Sequence, residues 1–174
     1  MQKFRFPLSS STWNENEFQA IESVLRSDQL TMGEKVNNFE QDFSKFVGSK
    51  YSLMVNSGSS ANLLMIAALF YTKNKDYKLK KGDEIIVPAV SWSTSYYPLY
   101  QYGLHIKFVD IDRNTLNYNL DELAEAISPN TKALLAVNLL GNPNNFNQIM
   151  SLIEGKDIIL LEDNCESMGA SFKG

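Results

Sequence analysis

The sequence predicts an α/β protein of three layers, with helices on both faces of a mainly parallel sheet. Two observations carry this. From Tyr51 onward, short apolar runs take turns with segments at helical spacing. Each run is apolar throughout rather than alternating with polar residues, as expected where helices cover a strand on both sides. The 174 residues are enough for one domain with a sizeable core.

Taken in order, Ser11 or Thr12 is expected to cap a first helix from about Asn14 to Ser27, with Phe18, Ile21, Val24 and Leu25 on one face. Leu30-Thr-Met-Gly33 reads as a loop. A second helix over about 34–47 presents Val36, Phe39, Phe43 and Phe46 at helical spacing and stops at Gly48. The alternation then runs strand 51–55, helix 60–71, strand 84–87, helix 93–102, strand 105–109, helix 120–127, strand 132–137, helix 145–153, strand 157–161. Lys73 to Lys81 is a basic run that reads as a solvated loop before a turn at Gly82-Asp83. No internal repeat, low-complexity tract or dividing linker is present.

Composition narrows the class. Hydrophobic residues make up 44% and charged residues 21%, an ordinary globular balance that argues against disorder. The net charge of −4 and the lack of a basic face argue against a nucleic-acid partner. Cys165 is the single cysteine, so no internal disulfide forms, which fits a reducing cytosol. Met1 to Pro7 lacks the long apolar core of a signal peptide, and no apolar run is long enough to span a membrane. A soluble cytoplasmic protein is expected.

The chemistry collects at one edge. In an open parallel sheet, the loops leaving the carboxyl ends of the strands converge where ligands sit. The first such loop, Asn56-Ser-Gly-Ser-Ser60, opens a helix. Free amides at a helix start and the positive end of its dipole make an anion site. Gly58 lets the backbone approach a ligand, and Ser59 and Ser60 add hydroxyl donors. The plainer alternative is that Ser57 or Ser59 simply caps the helix. Another loop brings Trp92, which either stacks on a ring or fills the core. Asp163 follows the apolar run Ile158-Ile-Leu-Leu161, where an unpaired charge is costly. It either caps its own turn or pairs with a pyridinium N–H, keeping that ring an electron sink. Together, a phosphate cradle, a flat aromatic and a carboxylate suit a phosphorylated aromatic heterocycle.

Elsewhere the sequence offers little. His105 is the only histidine and begins a strand, so neither Ser-His-Asp chemistry nor a histidine metal site is supported. No metal site is expected. Cys165 reads as a small packed residue, and Asp110 and Asp112 as turn formers.

Several segments resemble the DegT/DnrJ/EryC1/StrS group of pyridoxal-phosphate enzymes that act on nucleotide-linked sugars. They are Leu30 to Gly33, Asn56 to Asn62, Gly82 to Pro88, Phe108 to Asp112, Thr131 to Ala133 and Glu162 to Gly169. The resemblance implies the large domain of the aspartate aminotransferase type (type I PLP fold), truncated. On it, residues 1–30 form an N-terminal arm and helix and 31–174 a partial cofactor-binding domain, with the small C-terminal domain absent. It implies pyridoxal or pyridoxamine 5′-phosphate, with phosphate on Gly58, Ser59 and Ser60, ring stacking on Trp92 and the pyridine nitrogen on Asp163. Glu166 falls where many members carry Gln near the cofactor's phenolic oxygen, a contact that a carboxylate makes only if protonated or swung away.

Two chemistries occur in such a family: aminotransferases with a Schiff-base lysine, and sugar 3-dehydratases in which histidine replaces it. Trp92-Ser-Thr94, Asn138 to Pro143 and Asp163 to Glu166 are more similar to the dehydratase branch. The lysine or histidine is expected beyond Gly174. Lys132 and Lys156 stand at strand beginnings and Lys173 at the terminus, so no catalytic residue is assigned in this chain and no turnover is expected of it alone. The implied partners are a nucleotide-linked 4-keto-6-deoxy sugar, an amino donor such as glutamate, and either a second copy or the missing C-terminal part. Self-association is also expected, because a sheet ending after Asp163 leaves apolar surface bare. The alternative is a non-catalytic α/β module that keeps the scaffold for binding or assembly.

Overall fold

The computed structural model describes residues 10–172. The reading of Met1 to Pro7 and the placement of Lys173 lie outside them. The chain forms two compact units, Met1–Met54 and Val55–Gly174.

The first unit holds helices α1 (Glu15–Arg26) and α2 (Glu34–Val47). Asn14, rather than Ser11 or Thr12, caps α1. Its side chain accepts the Asn16 N–H while Glu17 Oε2 accepts the Asn14 N–H at 2.6 Å. An Asn followed three residues later by Glu satisfies donors in both directions, which a lone Ser or Thr upstream does not. Helix α2 ends on Gly48 in the left-handed region (φ 70°), as the sequence indicates. Neither helix has a buried residue, although both carry an apolar stripe.

The segment 51–55, expected as a strand, is not one. None of the four strands of the sheet pairs with it, and Tyr51, Leu53 and Met54 are exposed. Apolar content makes a segment suitable for a sheet, but only a partner's N–H and C=O groups make it a strand.

The second unit is the three-layer α/β/α part. Its elements are α3 (Gly58–Tyr71), β1 (Glu84–Pro88), α4 (Ser93–Gln101), β2 (His105–Val109), α5 (Leu120–Ala126), β3 (Thr131–Val137), α6 (Phe146–Ile153) and β4 (Ile159–Asp163). The strands are all parallel in the order β2-β1-β3-β4. Alternate strand residues feed two cores. Ile85, Val87, Ala133, Leu135 and Val137 pack with Ile66 of α3 and Leu99 of α4. Ile86, Leu134 and Ala136 pack with Leu123 of α5 and Ile149 of α6 on the other face. The basic run after α3 is mostly exposed, but Leu79 within it is buried in the first core and donates its N–H to Leu69 O.

Two boundaries differ from expectation in ways that matter for the site. Helix α3 begins at Gly58, so the glycine is its first helical residue rather than part of a preceding turn. Strand β4 runs two residues later than expected, because Ala133 to Val137 of β3 pair with Ile159 to Asp163. Asp163 is therefore the last rung of the sheet.

Candidate functional site

The starts of α3 and α4 and the end of β4 meet at the Asp163 carboxylate. This side chain is 7% exposed. Its Oδ2 accepts from Asn62 Nδ2 at 2.9 Å and from Ser95 Oγ at 3.0 Å, and its Oδ1 accepts from Cys165 N at 3.2 Å. Burial by itself pushes the carboxyl upward. The three donors outweigh it and hold Asp163 below its ordinary value, so it is a carboxylate at neutral pH. The bond to Cys165 N shows that Asp163 also caps its own turn; the two readings of this residue coexist.

Helix α3 supplies the anion-binding start. Ser57 is the N-cap, and its Oγ accepts the Ser60 N–H at 3.2 Å. The cap takes up the Ser60 amide and leaves those of Gly58 and Ser59 without an intrahelical acceptor. A Cβ at Gly58 would meet nothing within 4 Å, so the backbone there faces open space. The Ser60 hydroxyl accepts from Ser57 Oγ at 3.2 Å.

Trp92 immediately precedes α4 and is 72% exposed, which removes the core alternative for it. Three residues on, Ser95 is buried and reaches Asp163. Neither Ser95 nor Asn62 was singled out by sequence reasoning. The available signal was spacing: Asn62 lies one turn after Gly58, and Ser95 three residues after Trp92, distances that put side chains on one helix face.

Glu166 is engaged elsewhere. Its Oε2 accepts the N–H of Leu140, and a Cβ on Gly141 (φ 80°) would lie 3.2 Å from Glu166 O. Leu140 itself adopts a left-handed φ of 53° and is exposed. The loops after β3 and β4 are further joined through Asn138, which is 5% exposed. Its amide nitrogen lies 2.7 Å from both Glu162 Oε1 and Asn164 Oδ1, and its oxygen accepts from Asn144.

Cys165 is exposed, not packed as the sequence suggested, because it lies in the turn beyond the last rung of β4. Partial burial and the neighbouring Asp163 and Glu166 charges raise its thiol to about 11. Asp112 and Asp110 form turns: Asp112 Oδ1 accepts from the N–H groups of Asn114 and Thr115, and Asp110 Oδ1 accepts from Ile111 N. Among the described residues no group of three His, Cys, Asp or Glu side chains could hold a metal ion, and no helix is long and apolar enough to cross a membrane.

Residues 11–174 match the DegT/DnrJ/EryC1/StrS aminotransferase family. The chain belongs to that family. Within it, the chain is 66% identical over 167 residues to the GDP-4-keto-6-deoxy-D-mannose 3-dehydratase of Escherichia coli O55:H7, covering 96% of this chain and 42% of that protein. The chain thus spans less than half the length of this curated relative. The structure of E. coli GDP-4-keto-6-deoxy-D-mannose 3-dehydratase with bound hydrated PLP superposes with a TM-score of 0.94 at 64% identity, over 99% of this chain and 44% of that one. An aminotransferase from Psychrobacter cryohalolentis superposes with a TM-score of 0.84 at 27% identity, over 97% of this chain and 41% of that one. The family's parallel α/β architecture is therefore the one seen here.

Proposed function

We propose that this chain forms much of the cofactor-binding part of a pyridoxal- or pyridoxamine-phosphate enzyme acting on a nucleotide-linked 4-keto-6-deoxyhexose, with 3-dehydration rather than amino transfer as its chemistry. The observation that carries the reading is the buried, ionised Asp163 carboxylate. It ends β4 with three donors holding it and lone-pair capacity left for one more. That remaining capacity suits a pyridinium N–H, and the open amides of Gly58 and Ser59 suit a phosphate. The choice of dehydration follows the much higher identity to the dehydratase than to the aminotransferase.

When bound, such a cofactor supplies an electron sink for carbanion chemistry beside a keto group. The residues of this chain bind and orient. Gly58 and Ser59 amides, with the Ser60 hydroxyl, take the phosphate. Trp92, exposed and flat, covers one ring face. Asp163 holds the ring nitrogen protonated. Glu166 acts from the side by fixing the Leu140 loop rather than as a free carboxylate toward the phenolic oxygen. No described residue is assigned as the catalytic base: Lys132 begins β3 and pairs with Asp157 at 3.1 Å, at the opposite edge of the sheet. The finer readings, a GDP-linked sugar, glutamate as amino donor, a homodimer and a cytoplasmic location, extend the same proposal.

Calorimetric titration with pyridoxamine 5′-phosphate tests it. Saturable binding is expected, weakened about 100-fold in Asp163→Ala, the scale of a lost charged pair in a buried site. No saturable binding, or equal affinity in the variant, would overturn the reading.

A further inference from the structure

Asn62 closes one of the segments that carry the family resemblance but has no role assigned by it, and it makes the shortest hydrogen bond to the Asp163 side chain, 2.9 Å from Nδ2 to Oδ2. Its other amide hydrogen faces Thr94 O at 3.5 Å, the limit of a hydrogen bond, so the carboxylate is its main partner. Asn62 sits one turn into α3 from Gly58, about 6 Å along the axis. One rigid helix therefore presents the open amides at its start and, a turn later, the donor that grips the carboxylate.

We propose that Asn62 is a positioning residue that aims the Asp163 carboxylate at the ring nitrogen and fixes its distance from the phosphate-binding start of α3. This rests on the cofactor reading above and adds to it a residue with no cofactor contact of its own. A charged acceptor held by two side-chain donors from two helices cannot rotate without breaking one of them. Losing Asn62 leaves Ser95 and the Cys165 amide, and frees the carboxylate to turn about the Ser95 bond. The titratable group that acts on Asp163 is Cys165 on the loop after β4, while α3 and α4 present the neutral Asn62 and Ser95.

The test uses Asn62→Leu, similar in size and unable to donate, with Asn62→Ala as the variant that carries the test if leucine unfolds the chain. In ligand-free protein, carbon-detected NMR of the Asp163 carboxyl is expected to show its titration midpoint moving to higher pH in both variants. Affinity for pyridoxamine 5′-phosphate is expected to fall about tenfold at neutral pH, the scale of one hydrogen bond to a charged group, with its acidic limb moved in the same direction. An unchanged carboxyl midpoint together with unchanged pyridoxamine phosphate affinity would overturn the inference. Wild-type protein that fails to bind the cofactor overturns the function reading instead, and the NMR midpoint, which needs no cofactor, then still reports whether Asn62 governs the carboxylate.

Discussion

Cys165 shows how one carboxylate reaches several neighbours. Its backbone N–H helps hold Asp163 ionised, and burial first, then the charge so held and that of Glu166, raise the thiol beside it to about 11. The thiolate is the nucleophile, so a raised thiol is a slow one at neutral pH even when exposed. Alkylation by iodoacetamide at pH 8 is expected to be several-fold slower in the folded chain than in the urea-unfolded chain, where the thiol returns to about 8.5. Asp163→Asn is expected to speed the folded-state reaction by removing the nearest negative charge. Equal rates in the folded wild type and Asp163→Asn would show that the carboxylate does not set the thiol's reactivity.

At the level of elements, the site edge is held by loops as well as by α3 and α4. Asn138 ends the run of β3 and ties three segments: its amide nitrogen faces Glu162 and Asn164 at the end of β4, and its oxygen takes the backbone and side-chain N–H of Asn144 before α6. Asn138→Leu keeps the size and strips every one of these bonds; the buried Asn144 side-chain amide keeps Val137 O, but the Asn144 backbone N–H is left without its acceptor. A loss of about 1–3 kcal/mol in urea unfolding is expected, since the buried Asn144 N–H is left without an acceptor while the exposed Glu162 and Asn164 turn to water. A loss below about 0.5 kcal/mol would mean that water replaces the network. The loop was legible in the sequence as a stretch following a strand and similar to the dehydratase branch, but not in its conformation. Its left-handed Leu140 is a conformation that apolar side chains seldom adopt, so nothing in that residue type announces it. The same limit explains segment 51–55, which has a strand's composition and lacks a partner. The capping box of α1, by contrast, is written in the sequence itself, in Asn14 and Glu17.

Across the whole molecule, the layered architecture was readable because strands covered on both faces leave uninterrupted apolar runs, and these runs became the two cores around Ile85, Val87 and Leu135 on one side and Ile86, Leu134 and Ala136 on the other. Asp163 was readable at the sheet edge because it follows an apolar strand, and β4 does end on it. What holds Asp163 was not readable, since Asn62 and Ser95 lie 101 and 68 positions from it and meet it only once the sheet is built. That long-range grip has a consequence for global stability. The folded-state pKa of Asp163 lies below its unfolded value, so the unfolded chain binds more protons in the acid range and stability rises with pH there. The contribution is complete above the unfolded value of about 3.9 and is lost as pH falls through it toward the folded value. Asp163→Asn cannot ionise and lacks this contribution at every pH. The urea midpoints of wild type and variant are therefore expected to differ most at pH 6 and to draw together by pH 3. A gap that stays constant between those two pH values would mean that the carboxylate's charge adds nothing to the fold and that the donors around it recognise shape alone.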